Sequence, residues 1–120
     1  MVLVDINIWI NHFRKMDQDL VQNLNLGAVA SHPFIIGELA AGNLKNRAEI
    51  LILFQSLPAT PVIEQDEYLE FVATRKLMGK GLGFVDIHIL ASAVLSGIPL
   101  WTGDKRLAKS AADLGVAYKR

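Results

Sequence analysis

Four acidic side chains that stand in apolar surroundings are the residues of this sequence best suited to chemistry. Asp5 follows an aliphatic run at 2–4, and Glu38 is the only polar side chain in PFIIGELAAG (33–42). Asp86 is the only charged residue between positions 81 and 101, and Asp104 ends that run. A carboxylate on apolar surface loses hydration unless it is paired, hydrogen-bonded or bound to a metal. Each of the four therefore either has a structural partner or binds something.

Helix capping is the structural alternative for three of these acids. Asp5 and Asp104 each precede a predicted helix, and Asp86 lies near the start of another at 84–97. An Asp in such a place accepts backbone N–H bonds and suits the helix dipole. Asp86 also shares a helical face with apolar residues such as Leu90, so we expect it to point toward the core. Capping and ligation both remain open for these three acids.

Glu38 lies in the middle of its predicted helix, where capping cannot explain it. It gains nothing there from the dipole at the helix start. A buried salt bridge is the alternative, but the segment 33–42 contains no basic residue that could supply one locally. Because inward acids with perturbed pKa values mark functional sites, we interpret Glu38 as a functional residue.

A divalent cation would remove the repulsion between these carboxylates if the fold gathers them. Mutual repulsion raises the pKa of clustered acids and destabilises the site. Oxygen ligands without His or Cys select Mg²⁺ or Mn²⁺, which retain several waters. Such a site can polarise a phosphoryl oxygen and activate water for attack on a phosphodiester. The acids therefore indicate metal-dependent phosphodiester hydrolysis.

Strands alternate with helices along the chain, which predicts an α/β layered domain around a mainly parallel sheet. The residues at 31–33 resemble a helix start with Ser31 as a hydroxyl cap and Pro33 in the first turn. We predict strands at 2–4, 28–30, 60–63, 98–102 and 115–118, and helices at 8–13, 17–26, 33–42, 45–57, 64–78, 84–97 and 105–114. An acid that ends a central strand, as Asp5 does, lies where open α/β sheets bind ligands.

Composition favours one soluble domain over residues 1–120. The chain has 52% hydrophobic residues, enough for a single core. Basic and acidic residues number 12 each, so there is no overall basic field for nucleic acid. The absence of cysteine excludes disulfides and thiolate metal sites and fits a cytoplasmic protein. The apolar start is too short to span a membrane.

Three further features carry weaker signals. The glycines at 79, 81 and 83 lack the spacing of phosphate-binding loops, so we expect a flexible loop that delivers Asp86, with Lys80 near a phosphate. His88 falls on a polar stripe opposite Asp86, which favours an ordinary capping or surface role. The basic residues that could form an RNA track around the acids are Arg14, Lys15, Lys76, Lys80, Lys105, Arg106 and Lys109.

Four spaced pieces of the sequence together resemble one known family. They are LVDINIWINHFR (3–14), GELAAG (37–42), the small-residue helix that runs from Asp86 to Gly97, and the turn from Thr102 to Asp104. In this order the pieces resemble the PIN-domain ribonucleases, and most closely the VapC-type toxins of bacterial and archaeal toxin–antitoxin pairs. The chain differs from many relatives in carrying Ile6, where they have a hydroxyl residue after the first acid.

The resemblance implies a three-layer α/β/α sandwich and a Mg²⁺- or Mn²⁺-dependent endoribonuclease. It implies that Asp5, Glu38, Asp86 and Asp104 form the catalytic, metal-binding cluster. It leaves open whether Asp104 touches the metal. Asn7 and Thr102 would position ligands or water. The implied partners are a structured RNA such as tRNA or rRNA, a VapB-type antitoxin that blocks the site, and a second copy of the chain.

Two other functions are alternatives to this one. A receiver-type phosphoacceptor domain has a similar size and an acidic Mg²⁺ pocket, but it needs an acceptor Asp after a central strand. No Asp occurs between positions 40 and 63. A PIN-like domain that binds protein or RNA without cutting is the second alternative. The four intact acids argue against it, and loss of metal binding without loss of partner binding would favour it.

Overall fold

A parallel three-stranded sheet lies at the centre of the computed structural model, which describes residues 1–120. β1 (Val2–Val4) is the middle strand, with β2 (Val29–Ala30) on one side and β3 (Leu100–Trp101) on the other. The seven helices around the sheet are α1 (Ile6–Arg14), α2 (Gln18–Asn25), α3 (Pro33–Ala41), α4 (Arg47–Ser56), α5 (Gln65–Thr74), α6 (Phe84–Ser96) and α7 (Lys105–Asp113).

Both faces of the sheet are covered by helices. The three residues of β1 are each at most 2% exposed. Because successive side chains of a strand point to opposite faces, this burial requires packing on both sides. Parallel sheets are covered in this way, and their strands are continuously apolar. The predicted layered α/β sandwich with a parallel sheet is thereby confirmed.

α6 is the central helix of the core. Every residue from Ile87 to Ala93 is buried, and the small side chains of Ala91 and Ala93 are fully enclosed. Its apolar residues belong to a single cluster of 22 buried side chains that also includes the three strands. α6 has 13 residues, and no helix of the structure combines the length and apolarity needed to cross a membrane.

Two predicted strands are absent as regular elements. The segment 60–63 is not a strand, and only a single parallel bridge joins Ser31 to Ala59 just before it. The segment 115–118 is also irregular, with one bridge between Leu100 and Ala117. Both runs have the composition of strands, but each region forms only one bridge to the sheet, near the end of the short strand β2 or β3. Sheet pairing is a tertiary property that composition does not determine.

The cap of α3 also differs from the prediction. His32, not Ser31, is the N-cap, and its Nδ1 accepts a 3.0 Å hydrogen bond from the Phe34 backbone N–H. Ser31 is fully buried, and its hydroxyl has no partner. The helix begins at Pro33, as predicted, so only the capping residue differs.

Candidate active site

Asp5 lies at the carboxyl end of β1 and is only 3% exposed. Its Oδ1 accepts a 2.8 Å hydrogen bond from the backbone N–H of Ile6 and caps α1. Its Oδ2 accepts a 2.8 Å bond from the Thr102 hydroxyl, with the Asn7 side-chain amide more distant at 3.4 Å. The buried carboxylate is therefore both a helix cap and a fixed group at the edge of the sheet.

Asn7 and Thr102 connect the ends of β1 and β3. Asn7 Oδ1 accepts a 2.8 Å bond from the Gly103 N–H, and the Thr102 hydroxyl accepts one of 3.1 Å from the Asp104 N–H. Gly103 packs closely here, since a Cβ on it would lie 3.4 Å from Asn7 Oδ1. The structure thus joins Asp5, Asn7 and Thr102 in one hydrogen-bonded unit and places Asp104 next to it.

Asp86 and Asp104 also cap helices, and each keeps one oxygen free of protein donors. Asp104 Oδ1 accepts the backbone N–H groups of Arg106 and Leu107 at the start of α7, which leaves Oδ2. Asp86 Oδ2 accepts the Gly83 N–H at 3.0 Å, which leaves Oδ1. Capping and ligation, the two interpretations left open by the sequence, are therefore compatible within one carboxylate.

Glu38 differs from the expectation of an inward, buried acid. It is exposed in the middle of α3, and no donor in the protein bonds to its carboxylate. It forms part of the wall of a groove of about 830 Å³ that also contains the cations Arg14 and Lys45. The segment 33–42 is apolar because its other faces pack on the core, and Glu38 occupies the remaining open face.

Electrostatic coupling relates the acids to one another across the site. Burial raises the pKa of Asp5, hydrogen bonds from Thr102 and Ile6 oppose that rise, and repulsion from Asp86 and Asp104 adds to it. Partial burial of the carboxyl group raises the pKa of Glu38, and repulsion from Asp5 and Asp86 raises it further. Carboxylates from four separate parts of the chain therefore share one field of negative charge.

The donor set fits a hydrated divalent cation. No three His, Asp or Glu side chains converge closely enough to form a ready-made metal site. The oxygens without protein donors, Asp86 Oδ1, Asp104 Oδ2 and both of Glu38, are nevertheless the ligand type that Mg²⁺ and Mn²⁺ prefer. Because Mg²⁺ retains several waters, some of these carboxylates can act through water. The repulsion on Asp5 is the kind that a bound cation relieves.

Two features near the site were not found from the sequence. His88 is buried at 3% exposure, and Ser92 of the same stripe is fully buried with its hydroxyl bonded to the Pro61 carbonyl. The expected surface role of His88 is therefore wrong, because α5 and the chain before it cover that side of α6. The other feature is a contact between Gly81 and Arg106. In the sequence, the spacing of the glycines at 79, 81 and 83 was the only sign of this contact.

The comparisons with known proteins agree with this architecture. The family model described as "PIN domain" matches residues 2–113, nearly the whole chain. The chain belongs to the PIN-domain family. Ribonuclease VapC32 of Mycobacterium tuberculosis, found in two strains, is 45% identical over 118 residues, which cover 98% of this chain and 95% of that protein. The match thus covers nearly all of both chains.

The fold is also found in a solved structure. The crystal structure of PAE2754 from Pyrobaculum aerophilum superposes with a TM-score of 0.57 over 95% of this chain and 94% of that one, at 19% identity. At that identity the likeness concerns the fold alone. A receiver-type domain, the alternative from another class, is set aside by the PIN family match.

Proposed function

We propose that this PIN domain is a metal-dependent endoribonuclease, the toxin of a VapBC-type pair, with residues 1–120 forming one domain. The observation that carries the proposal is Asp5, a buried carboxylate fixed by Thr102 and Ile6 at the carboxyl end of β1, which is repelled by Asp86 and Asp104 and in turn repels Glu38. Clustered charge of this kind destabilises a fold and is retained where it binds a cation. The full-length relative at 45% identity bears the name ribonuclease.

The residues have distinct roles in this proposal. Glu38, Asp86 and Asp104 offer free oxygens to Mg²⁺ or Mn²⁺ and its waters. Asp5 is held by Thr102 and Ile6 so that its carboxylate cannot rotate away. When bound, the cation supplies charge neutralisation and Lewis acidity toward a phosphoryl oxygen. Asn7 fixes the Gly103 backbone and so maintains the turn that carries Asp104.

The proposed partners follow from the family. The substrate is a structured RNA, for which tRNA and rRNA are the first candidates, in the cytoplasm of the cell. A VapB-type antitoxin binds the chain and blocks the site, and two copies of the chain form a homodimer. The groove beside Glu38 adjoins the acids and carries Arg14 and Lys45, so it lies within reach of a polyanion bound at the site.

The first test is cleavage of a total small-RNA pool by the purified protein in Mg²⁺, in Mn²⁺ and in EDTA. We expect cuts at discrete positions that require metal and are abolished by Asp86→Asn and by Asp5→Asn. Both substitutions keep an oxygen that can cap its helix. Because Asp5→Asn removes a buried charge under repulsion, we expect that variant to be at least as stable as the wild type at pH 7.

Asp66→Asn is the matched control, since Asp66 is an exposed first-turn aspartate of α5 outside the cluster. It should cut like the wild type. Full activity in the Asp86→Asn or Asp5→Asn variant would show that the assigned cluster is wrong. A protein that binds RNA or an antitoxin but never cuts it would support the non-cleaving alternative instead.

A further inference from the structure

The loop between α5 and α6 packs against the side chain of Arg106 at the start of α7. Gly81 has a φ of +75°, and a Cβ on it would lie 2.7 Å from Arg106 Nη1 and 3.0 Å from Cδ. The guanidinium therefore occupies the space that any other residue at 81 would need for its side chain. Gly79 has nearly the same backbone conformation, with a φ of +70°, but has nothing within 4 Å.

The charge of Arg106 has no partner inside the protein. The residue is exposed, it takes part in none of the three ion pairs, and its guanidinium donates no hydrogen bond. Two other arginines are engaged, since Arg47 donates to the Ala40 carbonyl and Arg120 pairs with Asp17 and Asp19, whereas Arg14 and Arg75 have no such bond and do not contact the loop at Gly81. A guanidinium carries five donors in a planar fork that suits phosphate. In Arg106 all of them remain free.

The contact lies between two of the proposed catalytic acids. Arg106 follows Asp104 by two residues, and its own backbone N–H is bonded to the Asp104 carboxylate. Gly81 lies in the loop that leads to Asp86, and Asp86 holds the end of that loop through the Gly83 N–H. The Arg106 side chain therefore starts from the helix that Asp104 caps and contacts the loop that leads to Asp86, and it forms no ion pair with either acid.

We propose that Arg106, which contacts Gly81, binds a backbone phosphate of the RNA next to the phosphate that is cut. The inference rests on the proposed ribonuclease function and adds a positioning residue to it. Four carboxylates repel a polyanion, and the chain has no net positive charge to offset that repulsion. An unpaired guanidinium in contact with the loop that leads to Asp86 supplies a local attraction and sets where the strand lies.

The test is binding of a fluorescein-labelled single-stranded RNA, measured by anisotropy over a series of NaCl concentrations. All variants carry Asp5→Asn so that the RNA stays intact. We expect Arg106→Gln to weaken binding about tenfold, the effect of losing one charge-assisted hydrogen-bonded contact. The slope of log K against log salt should fall by about 0.7, the value for one phosphate contact on a single strand. Arg106→Lys should retain most of the salt dependence of the wild-type residue, because lysine keeps the positive charge.

Gly81 and Gly79 provide a matched pair of variants, because they share a backbone conformation and only Gly81 contacts Arg106. Gly81→Ala displaces the guanidinium and should weaken RNA binding, whereas Gly79→Ala imposes similar backbone strain and should not. Gly81→Ala should add little when Arg106→Gln is already present. Lys119→Gln, at an exposed lysine that belongs neither to α7 nor to the loop that contains Gly81, should have little effect.

Each contrary result has its own meaning. If Arg106→Gln binds RNA as tightly as the Asp5→Asn protein without it, this inference is overturned and the ribonuclease proposal stands. Equal weakening of RNA binding by Gly81→Ala and Gly79→Ala would have the same meaning. If the Asp5→Asn protein binds no RNA while the wild type cuts none, the proposed function itself is wrong.

Discussion

The Thr102 hydroxyl donates a 2.8 Å hydrogen bond to Asp5 Oδ2 and so joins residues 97 positions apart in the sequence. The two residues lie at the ends of adjacent parallel strands, β3 and β1. The same hydroxyl oxygen accepts the backbone N–H of Asp104. One small side chain thus fixes the orientation of a buried acid and the turn that carries an exposed one.

Thr102→Val should therefore lower both stability and activity. The substitution keeps the volume but leaves an oxygen of the buried Asp5 without its best donor, which costs about 1–3 kcal/mol in the free energy of unfolding. Urea unfolding measures this loss, and RNA cleavage should fall with it. Thr102→Ser keeps the hydroxyl and should resemble the wild type. A valine variant as stable and active as the wild type would show that this bond has no such role.

Glu38→Gln should reduce cleavage without reducing stability. Glu38 is exposed and accepts no hydrogen bond, so we expect the free energy of unfolding to stay within about 0.5 kcal/mol of the wild type. Cleavage should fall by about tenfold or more if the carboxylate holds metal or its water. Glu70→Gln, an exposed glutamate in the middle of α5, is the control and should change neither quantity. Unchanged cleavage in Glu38→Gln would remove it from the site.

Asp104 has a structural and a proposed chemical role that two substitutions can separate. Its Oδ1 caps α7, so Asp104→Ala should cost about 1 kcal/mol in the free energy of unfolding. Asp104→Ser restores a capping oxygen and should recover that stability, but it lacks a carboxylate and should remain poorly active. Thermal unfolding and RNA cleavage are measured on the same samples. A serine variant that cuts like the wild type would limit Asp104 to capping.

His32 should make the free energy of unfolding depend on pH, in the range between the pKa of His32 in the unfolded chain and its pKa in the folded protein. Burial, followed by the neighbouring His88, lowers the pKa of His32 to about 4 from 6.5, although the Pro61 carbonyl partly opposes the shift. The unfolded chain thus binds this proton more readily than the folded protein does. The stability associated with neutral His32 is complete above pH 6.5 and is lost as the pH falls from 6.5 toward 4. The loss is on the order of 3 kcal/mol.

His32→Asn isolates this effect, because Asn also caps helices and does not titrate. Protonation of Nδ1 would turn the acceptor that holds the Phe34 N–H into a donor, which gives the physical reason for the loss. Unfolding by urea at a series of pH values should show a smaller decrease for His32→Asn than for the wild type. Parallel curves would mean that His32 is not the responsible group.

Local sequence was sufficient for most of the secondary structure. The runs predicted as helices all form helices, with ends shifted by at most four residues, because apolar periodicity and capping residues act over a few positions. The strand β1 was also recognisable, since a short aliphatic run buried on both faces has few alternatives. The segments 60–63 and 115–118 were misjudged because a strand needs a partner of sufficient length.

The acidic residues show the same difference between what local sequence determines and what tertiary packing determines. The sequence by itself determined which carboxylates stand alone in apolar segments, and the family resemblance grouped Asp5, Glu38, Asp86 and Asp104. Only the tertiary structure decided that Asp5 is buried while Glu38 is exposed, and that His88 lies inside the protein. It also brought Arg106 against Gly81. Burial and contact depend on which elements pack together, and residues far apart in the chain determine that packing.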